Sequence, residues 1–229
     1  MKYISENLIT ALVPMKDHSE RVPNKNIREF CGRPLYHWII NSLKDSRYIK
    51  EVVINTDSER IARDAEKNFD LRIIDRPKNL RGDFVPMNDI IACDISQLQE
   101  EYFLQTHSTN PLLKTETIDK SIEAFIKQSK FDSLFSTTKI QTRLYWGDGS
   151  AVNHNPEELL RTQDLPPVFE ENSNIYIFTS NSFSKNNRRI GDNPMMFEID
   201  KTEALDIDNE TDFLISELMM KIRLGDNKR

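Results

Sequence analysis

Short apolar runs alternate with amphipathic stretches along most of this chain. Runs with the composition of β-strands occupy 8–13, 51–56, 71–74, 102–106, 132–138, 171–178 and 195–199. Apolar residues at helical spacing mark 35–43, about 58–68, 86–99 and 213–224, and two more helices are predicted from 115 onward and within 180–189. This alternation predicts an α/β fold with a mostly parallel central sheet flanked by helices.

Proline and small polar residues mark the ends of several of these elements. Pro14 is expected to end the first strand, because proline interrupts strand pairing. Asp57 and Ser58 are expected to cap the helix that follows them, and Thr115 to cap a later one.

The alternation is lost between 139 and 169, where Gly147-Asp148-Gly149 is typical of a hairpin turn. We therefore divide the chain into a main domain, 1–138 and 170–229, and an insert, 139–169. A hairpin packed on its own domain is the simpler alternative for the insert.

Composition narrows the class of protein. The 229 residues suffice for one α/β domain with a sizeable core. The net charge of -6 argues against general nucleic-acid binding. No apolar run approaches the roughly 18 residues of a membrane span, residues 1–7 are polar, and Cys31 and Cys93 have no metal-type spacing. We expect a cytoplasmic protein that binds neither nucleic acid nor membrane.

The loop after the first strand combines three cations with a hydroxyl and an amide, namely Lys16, Arg21, Lys25, Ser19 and Asn26. Ligands of open α/β sheets bind outside the carboxyl ends of the strands, and arginine and lysine suit phosphate. A phosphate-rich ligand is one hypothesis for this loop. A solvated charged loop is the other, because Asp17 and Glu20 dilute its positive charge.

Asp206-Ile207-Asp208 precedes the last predicted helix. Side chains alternate along an extended backbone, so both carboxylates face the same side. Two carboxylates suit Mg²⁺, which takes few protein oxygens and shares the rest with phosphate and water. A helix cap is the structural alternative, and the two roles can coexist.

Several segments resemble the sugar-activating cytidylyltransferases. The stretch 19–25 resembles the corresponding motif of the CMP-Kdo synthetases. The asparagine that follows it, Asn26, resembles the motif of the CMP-N-acetylneuraminate synthetases, which are also called acylneuraminate cytidylyltransferases. Further similar motifs occur in the family's order at 76–83, 105–113, 161–166, 171–176 and 206–212, so that the resemblance spans nearly the whole chain. Lys16 and Ser173 depart from the family, which has arginine and glycine at these positions.

The resemblance implies a Rossmann-like nucleotidyltransferase fold in which residues 139–169 form a β-hairpin dimerisation insert, and hence a homodimer. It implies catalytic roles for Lys16, Arg21 and Lys25, and nucleotide contacts from Met15, Ser19, Asn26, Arg76 and Asn88. It implies sugar contacts from Gln105, Arg161, Asn172 and Tyr176, and Mg²⁺ as cofactor on Asp206 and Asp208. His107 could transfer protons near neutral pH, but the family pattern does not require it.

The implied reaction joins CTP to a nonulosonic-type 2-keto acid sugar and yields CMP-sugar and pyrophosphate. Two alternatives stay open. A glycosyltransferase could use Asp206 and Asp208 as its metal site, although such motifs usually lie in mid-chain. A non-catalytic nucleotide-binding homologue would account for Lys16 and Ser173.

Overall fold

The computed structural model describes residues 8–226. Its strands are β1 (Ile9–Met15), β2 (Glu29–Phe30), β3 (Arg33–Pro34), β4 (Ile49–Thr56), β5 (Arg72–Asp75), β6 (Tyr102–Gln105), β7 (Ser133–Ile140), β8 (Val168–Thr179) and β9 (Pro194–Glu198). Its α-helices are α1 (Leu35–Lys44), α2 (Glu59–Asn68), α3 (Met87–Ser96), α4 (Thr115–Ile126), α5 (Ser180–Asn186) and α6 (Glu210–Asp226). The predicted strands and helices are thus confirmed, with shifts of a few residues at their ends.

Within the described range, seven strands form one sheet in the order β5-β4-β1-β6-β8-β7-β9, while β2 and β3 form a small hairpin. Neighbours pair in parallel except where β8 lies between β6 and β7. The mostly parallel sheet predicted from the alternation is confirmed.

Both faces of the sheet are covered, which explains the unbroken apolar run in β1. Ala11 and Val13 pack into one core cluster, and Leu12 packs with Val53 into the cluster on the other side. Successive side chains of a strand point to opposite faces, so a strand buried on both faces needs apolar residues throughout.

The prediction that Pro14 ends the first strand is wrong. β1 continues to Met15, and Pro14 is in register with Asn55 of β4. Pairing with β6 stops at Leu12 and Gln105, so beyond that point β1 has β4 as its one neighbour in the sheet. Proline is tolerated where one side of the strand has no ladder to complete.

Two predicted caps are also corrected. Ser58 caps α2 by accepting from the backbone N–H of Ile61 at 3.3 Å, whereas the Asp57 carboxylate accepts from the N–H of Asp17 at 2.8 Å. Asp57 therefore stabilises the loop after β1 and does not cap the helix. Thr115 is the first residue of α4, and its hydroxyl donates to the carbonyl of Ser42 at 2.9 Å.

The segment between β7 and β8 forms the predicted turn. Tyr145 and Ala151 form an antiparallel bridge, and the N–H of Gly149 donates to the carbonyl of Trp146 at 2.9 Å. Several large apolar side chains of the segment are exposed, including Trp146 at 63% and Leu159 at 88%. Its role in dimerisation stays a prediction.

No helix within residues 8–226 has the length and apolar character needed to cross a membrane. Residues 1–7, whose polar character entered the sequence argument, lie outside the described residues.

Candidate active site

A cavity of about 490 Å³ opens at the carboxyl ends of β1 and β6. The loop after β1, the segment after β6 and the extended segment before α6 supply most of its wall. The predicted site residues that line it are Met15, Lys16, Ser19, Arg21, Lys25, Asn26, Arg76, Asp206 and Asp208. Residues nearly 200 positions apart in the chain therefore meet where ligands of such sheets bind.

The loop after β1 is fixed at both ends by polar contacts. Asn26 donates through its amide to the carbonyl of Lys16 at 2.9 Å and accepts from the hydroxyl of Ser108 at 2.7 Å. Asp57 holds the N–H of Asp17, as described above. These contacts link the loop to the segment after β6, and they hold its cations at the cavity.

Each of the three loop cations contacts an oxygen acceptor across the cavity. Lys16 pairs with Asp83, and Arg21 pairs with Asp208 at 2.7 Å. Lys25 donates to the backbone carbonyl of Ile207. Burial lowers the pKa of Lys25, while the nearby Asp206 and Asp208 act in the opposite direction. A phosphate group could replace these acceptors, because it offers the same kind of charged oxygen.

Arg76 is buried and lies in the cavity wall. Its Nε donates to Oδ1 of Asn55 at 2.7 Å, and its Nη2 donates to the carbonyls of Met15 at 3.0 Å and Asn55 at 2.9 Å. Burial lowers the pKa of Arg76, although Asp57 and Asp94 oppose that effect. These contacts join the ends of β1 and β4. The predicted contact of Arg76 with the nucleotide stays a prediction.

The Asp206-Ile207-Asp208 segment has the predicted alternation. Ile207 is fully buried, whereas Asp206 and Asp208 both line the cavity. Burial raises the pKa of Asp206, and the neighbouring Asp208 raises it further. One carboxylate oxygen of Asp206, Oδ1, is buried and has no hydrogen-bond partner among residues 8–226.

Other residues perform the capping that was considered for these aspartates. The side chain of Asn209 accepts from the N–H of Asp212 at 3.0 Å. The carboxylate of Asp212 accepts in return from the N–H groups of Asp208 and Asn209, both at 3.0 Å. This reciprocal arrangement satisfies the start of α6. The carboxylates of Asp206 and Asp208 are therefore not needed as caps.

The donor set fits Mg²⁺ shared with a phosphate. Among the described residues, no group of three or more His, Cys, Asp or Glu side chains is placed to hold a metal ion by itself. Mg²⁺ is commonly bound by one or two carboxylates together with water and substrate phosphates. Asp206 and Asp208 provide such a pair, and the unsatisfied oxygen of Asp206 provides a ready ligand.

His107 also lines the cavity. Burial lowers its pKa to about 4, and the charges of Arg189 and Lys25 act in the same direction. The imidazole is thus neutral at pH 7.

Five predicted site residues do not line the main cavity: Asn88, Gln105, Arg161, Asn172 and Tyr176. Asn88 lines a neighbouring cavity of about 440 Å³. Gln105 and Tyr176 are buried, and both contact Arg189, which lines both cavities. Arg161 is exposed in the insert and pairs with Asp164 at 2.6 Å. Their contacts with a substrate remain predictions.

Asn172 lies inside an irregularity of the sheet. Between Phe135 and Thr137 of β7, the register with β8 skips several residues of β8. Asn172 accepts from the hydroxyl of Ser136 at 2.6 Å and donates to that of Thr138 at 2.8 Å. Both polar groups of its amide are therefore engaged in holding this bulge.

Sequence reasoning missed Arg189, which follows α5 in a segment without a recognised motif. Its Nη1 donates to Oε1 of Gln105 at 2.6 Å, and its guanidinium lies 3.7 Å from the ring centroid of Tyr176. Gln105 is 84 residues away along the chain, so no local pattern could have revealed the contact. The basic pair Arg188-Arg189 was the one available signal.

Cations and paired carboxylates in a cavity at the carboxyl ends of parallel strands are typical of nucleotide-binding α/β proteins. The family model described as Cytidylyltransferase matches residues 10–222, and the chain belongs to that family. The protein is accordingly a nucleotidyltransferase, as the motifs predicted.

Curated relatives align with most of the chain. A pseudaminic acid cytidylyltransferase of Campylobacter jejuni is 28% identical over 223 residues, covering 92% of this chain and 95% of that protein. An N-acylneuraminate cytidylyltransferase A of Danio rerio is 27% identical over 218 residues, covering 91% of this chain and 50% of that protein.

Among solved structures, a CMP:2-keto-3-deoxy-manno-octonic acid synthetase complexed with CTP matches with a TM-score of 0.72 at 13% sequence identity. The match covers 94% of this chain and 99% of the synthetase. It confirms the predicted nucleotidyltransferase fold.

Proposed function

We propose that this protein activates a nonulosonic-type 2-keto acid sugar with CTP in a Mg²⁺-dependent reaction. The observation that carries the proposal is the single cavity that joins Lys16, Arg21 and Lys25 to the paired carboxylates of Asp206 and Asp208. The names of the relatives support an acidic sugar as acceptor, and the synthetase complexed with CTP supports the nucleotide.

The loop cations would bind the triphosphate. Arg21 and Lys25 now contact the 206–208 segment, and phosphate oxygens would compete for the same donors. Charge-assisted contacts from a pre-positioned loop stabilise the negative charge that develops as pyrophosphate leaves. Mg²⁺ held by Asp206 and Asp208 would neutralise phosphate charge.

The anomeric hydroxyl of the sugar would attack the α-phosphorus of CTP and release its proton to solvent water. The bond between that phosphorus and the bridging oxygen breaks, and pyrophosphate departs with the bonding electrons. Positioning supplies much of the acceleration in such transfers, because the two substrates are held together in one site. The fixed ends of the loop after β1 serve this positioning.

We further propose that the protein is a homodimer built by the insert. The exposed side chains of Trp146, Tyr145 and Leu159 support this proposal, since apolar and aromatic residues are common at the centres of interfaces. Arg161, which lies on the same segment, would reach the sugar site of the partner.

Pyrophosphate release from CTP tests the reaction. We expect release with at least one of N-acetylneuraminate, legionaminate, pseudaminate and Kdo, and none without Mg²⁺. Lys25→Ala should weaken CTP binding by roughly 10- to 100-fold, since a hydrogen bond to a charged group contributes about 1.5–3 kcal/mol. Lys67→Ala, on the exposed face of α2, is the matched control and should bind CTP normally.

Other outcomes would favour the alternatives. CTP binding without turnover of any acidic sugar would indicate a non-catalytic homologue. Normal CTP binding and turnover in Lys25→Ala would remove the loop from the site.

A further inference from the structure

Arg189 lies at the boundary between two cavities. It lines the main cavity, together with the loop cations, and also the neighbouring cavity of about 440 Å³. Met87 is the other residue that both cavities share among those described. A group bound in the second cavity would meet the phosphate-binding region beside Arg189.

Two contacts hold the guanidinium in a defined orientation. Nη1 donates to Gln105, and the guanidinium carbon lies 3.7 Å from the centroid of the Tyr176 ring. Tyr176 is itself fixed, because it is fully buried and its hydroxyl donates to Glu171. Among residues 8–226, no partner is found for the Nε and Nη2 hydrogens of Arg189, so one edge of its fork remains available.

Arg189 forms no salt bridge within the described part of the chain, although the charge of Glu171 partly offsets the effect of burial on its pKa. The nearby Lys185 and Arg188 both pair with Asp192, at 2.6 and 3.1 Å, whereas Arg189 forms no such pair. Arg189 is also partly buried, and burial lowers its pKa. A partly desolvated cation without a salt bridge is costly, and an anionic ligand would reduce that cost.

The surroundings indicate which anion this is. In the proposed function the three loop cations bind the phosphates, and they reach the main cavity from the side of β1. Arg189 instead contacts Gln105 and Tyr176, two of the four residues that the resemblance associates with the sugar. A free edge of a guanidinium matches the two oxygens of a carboxylate.

We propose that Arg189 binds the carboxylate of the acceptor and so makes the enzyme selective for acidic sugars. This inference rests on the proposed function. Gln105 and Tyr176 act through Arg189 in this arrangement, as positioning residues.

The test compares each accepted sugar with its carboxamide analogue, which lacks the negative charge. In Arg189→Gln, the KM for the acidic sugar should rise on the order of 10- to 100-fold, as expected for a lost charge-assisted contact. The KM for CTP should stay unchanged. The preference for acid over carboxamide, strong in the unaltered enzyme, should largely disappear.

Arg63→Gln is the matched control, because Arg63 is exposed on α2 and pairs with Glu59. It should keep both KM values and the preference. Should Arg189→Gln fail to fold, Arg189→Lys keeps the charge without the fork and should show a smaller loss of preference. A rise in its melting temperature on adding CTP would show that its nucleotide site is intact.

The possible failures are distinguishable. If the unaltered enzyme releases pyrophosphate with acidic sugars but the Arg189 variants keep the full preference for acid, this inference alone is overturned. If the unaltered enzyme uses no acidic sugar, the proposed function is overturned with it. A rise in the KM for CTP instead would assign Arg189 to the triphosphate.

Discussion

Individual side chains of the site have divided roles that their positions in the sequence do not reveal. Lys25 and Arg21 donate to acceptors on the 206–208 segment. Arg76 instead donates to the backbone carbonyls of Met15 and Asn55 and to the side chain of Asn55, at the ends of two strands. Arg21 and Arg76 both lie in the wall of the main cavity. Arg21 has an exposed contact that it can exchange for a ligand, whereas Arg76 is buried and bonds to the two strand ends through Nε and Nη2.

Asp208 offers the sharpest test at this scale, because its carboxylate is not needed as a helix cap. Asp208→Asn should lose Mg²⁺-dependent turnover. Its stability should fall by no more than about 1 kcal/mol, since the lost pair with Arg21 is exposed and such pairs contribute little. Melting temperature and turnover against Mg²⁺ concentration measure the two effects.

The control for Asp208 is Glu210→Gln, which removes a nearby exposed carboxylate paired with Arg28. This variant should keep its activity. Full activity of Asp208→Asn at ordinary Mg²⁺ would place the metal site elsewhere.

At the scale of the element, β8 combines a sheet function with a site function through its bulge. Ser136 accepts from the N–H of Ile175 at 2.8 Å and donates to Asn172, so a side chain replaces the missing ladder bonds. Ser173 has a φ of 59° and lines the main cavity. The bulge therefore directs Ser173 toward the main cavity at some cost in backbone strain.

Ser173 stands where the resembled family has glycine, and its conformation explains that preference. Left-handed backbone costs a non-glycine residue about 1 kcal/mol, so Ser173→Gly should be nearly neutral for stability. Glu170→Gly, at an exposed and regularly paired position of the same strand, should cost about 0.5–1 kcal/mol. Urea unfolding of both variants gives the comparison, and an equal or larger cost at Ser173 would refute the strain.

At the scale of the whole molecule, the proposed dimer makes a prediction that a monomer cannot meet. Arg161→Ala and Lys25→Ala subunits should each be inactive alone. If Arg161 acts in the partner's site, random mixing should restore about a quarter of the normal activity, because half of the dimers would contain one complete site. Light scattering would establish the dimer itself.

The matched control mixes Lys25→Ala with Asp208→Asn subunits. Both residues line the cavity of one chain, so neither mixed site is complete and activity should not return. Absence of rescue in the Arg161 mixture, or a monomer in solution, would reject the insert as a cross-subunit element.

The sequence by itself determined the α/β class, the order of strands and helices, and the two segments that carry the site. Strand and helix patterns are local, since they follow from which residues within one element must face the core. The loop after β1 and the Asp206-Ile207-Asp208 segment were recognisable for the same reason: each compresses several functional groups into a few consecutive positions.

Only the tertiary structure decided which polar groups line the cavity and which of them bond to other parts of the protein. Asn172 and Arg76 were predicted as ligand contacts, and the structure shows in addition that Asn172 holds the bulge and that Arg76 joins two strand ends. Their contacts with a ligand stay predictions. Asn209 and Asp212, and not Asp206 or Asp208, cap the start of α6. Arg189 donates to Gln105, which is 84 residues away along the chain. A polar group in a partly buried site must find a partner, and that partner is chosen by proximity in space, which sequence spacing does not encode.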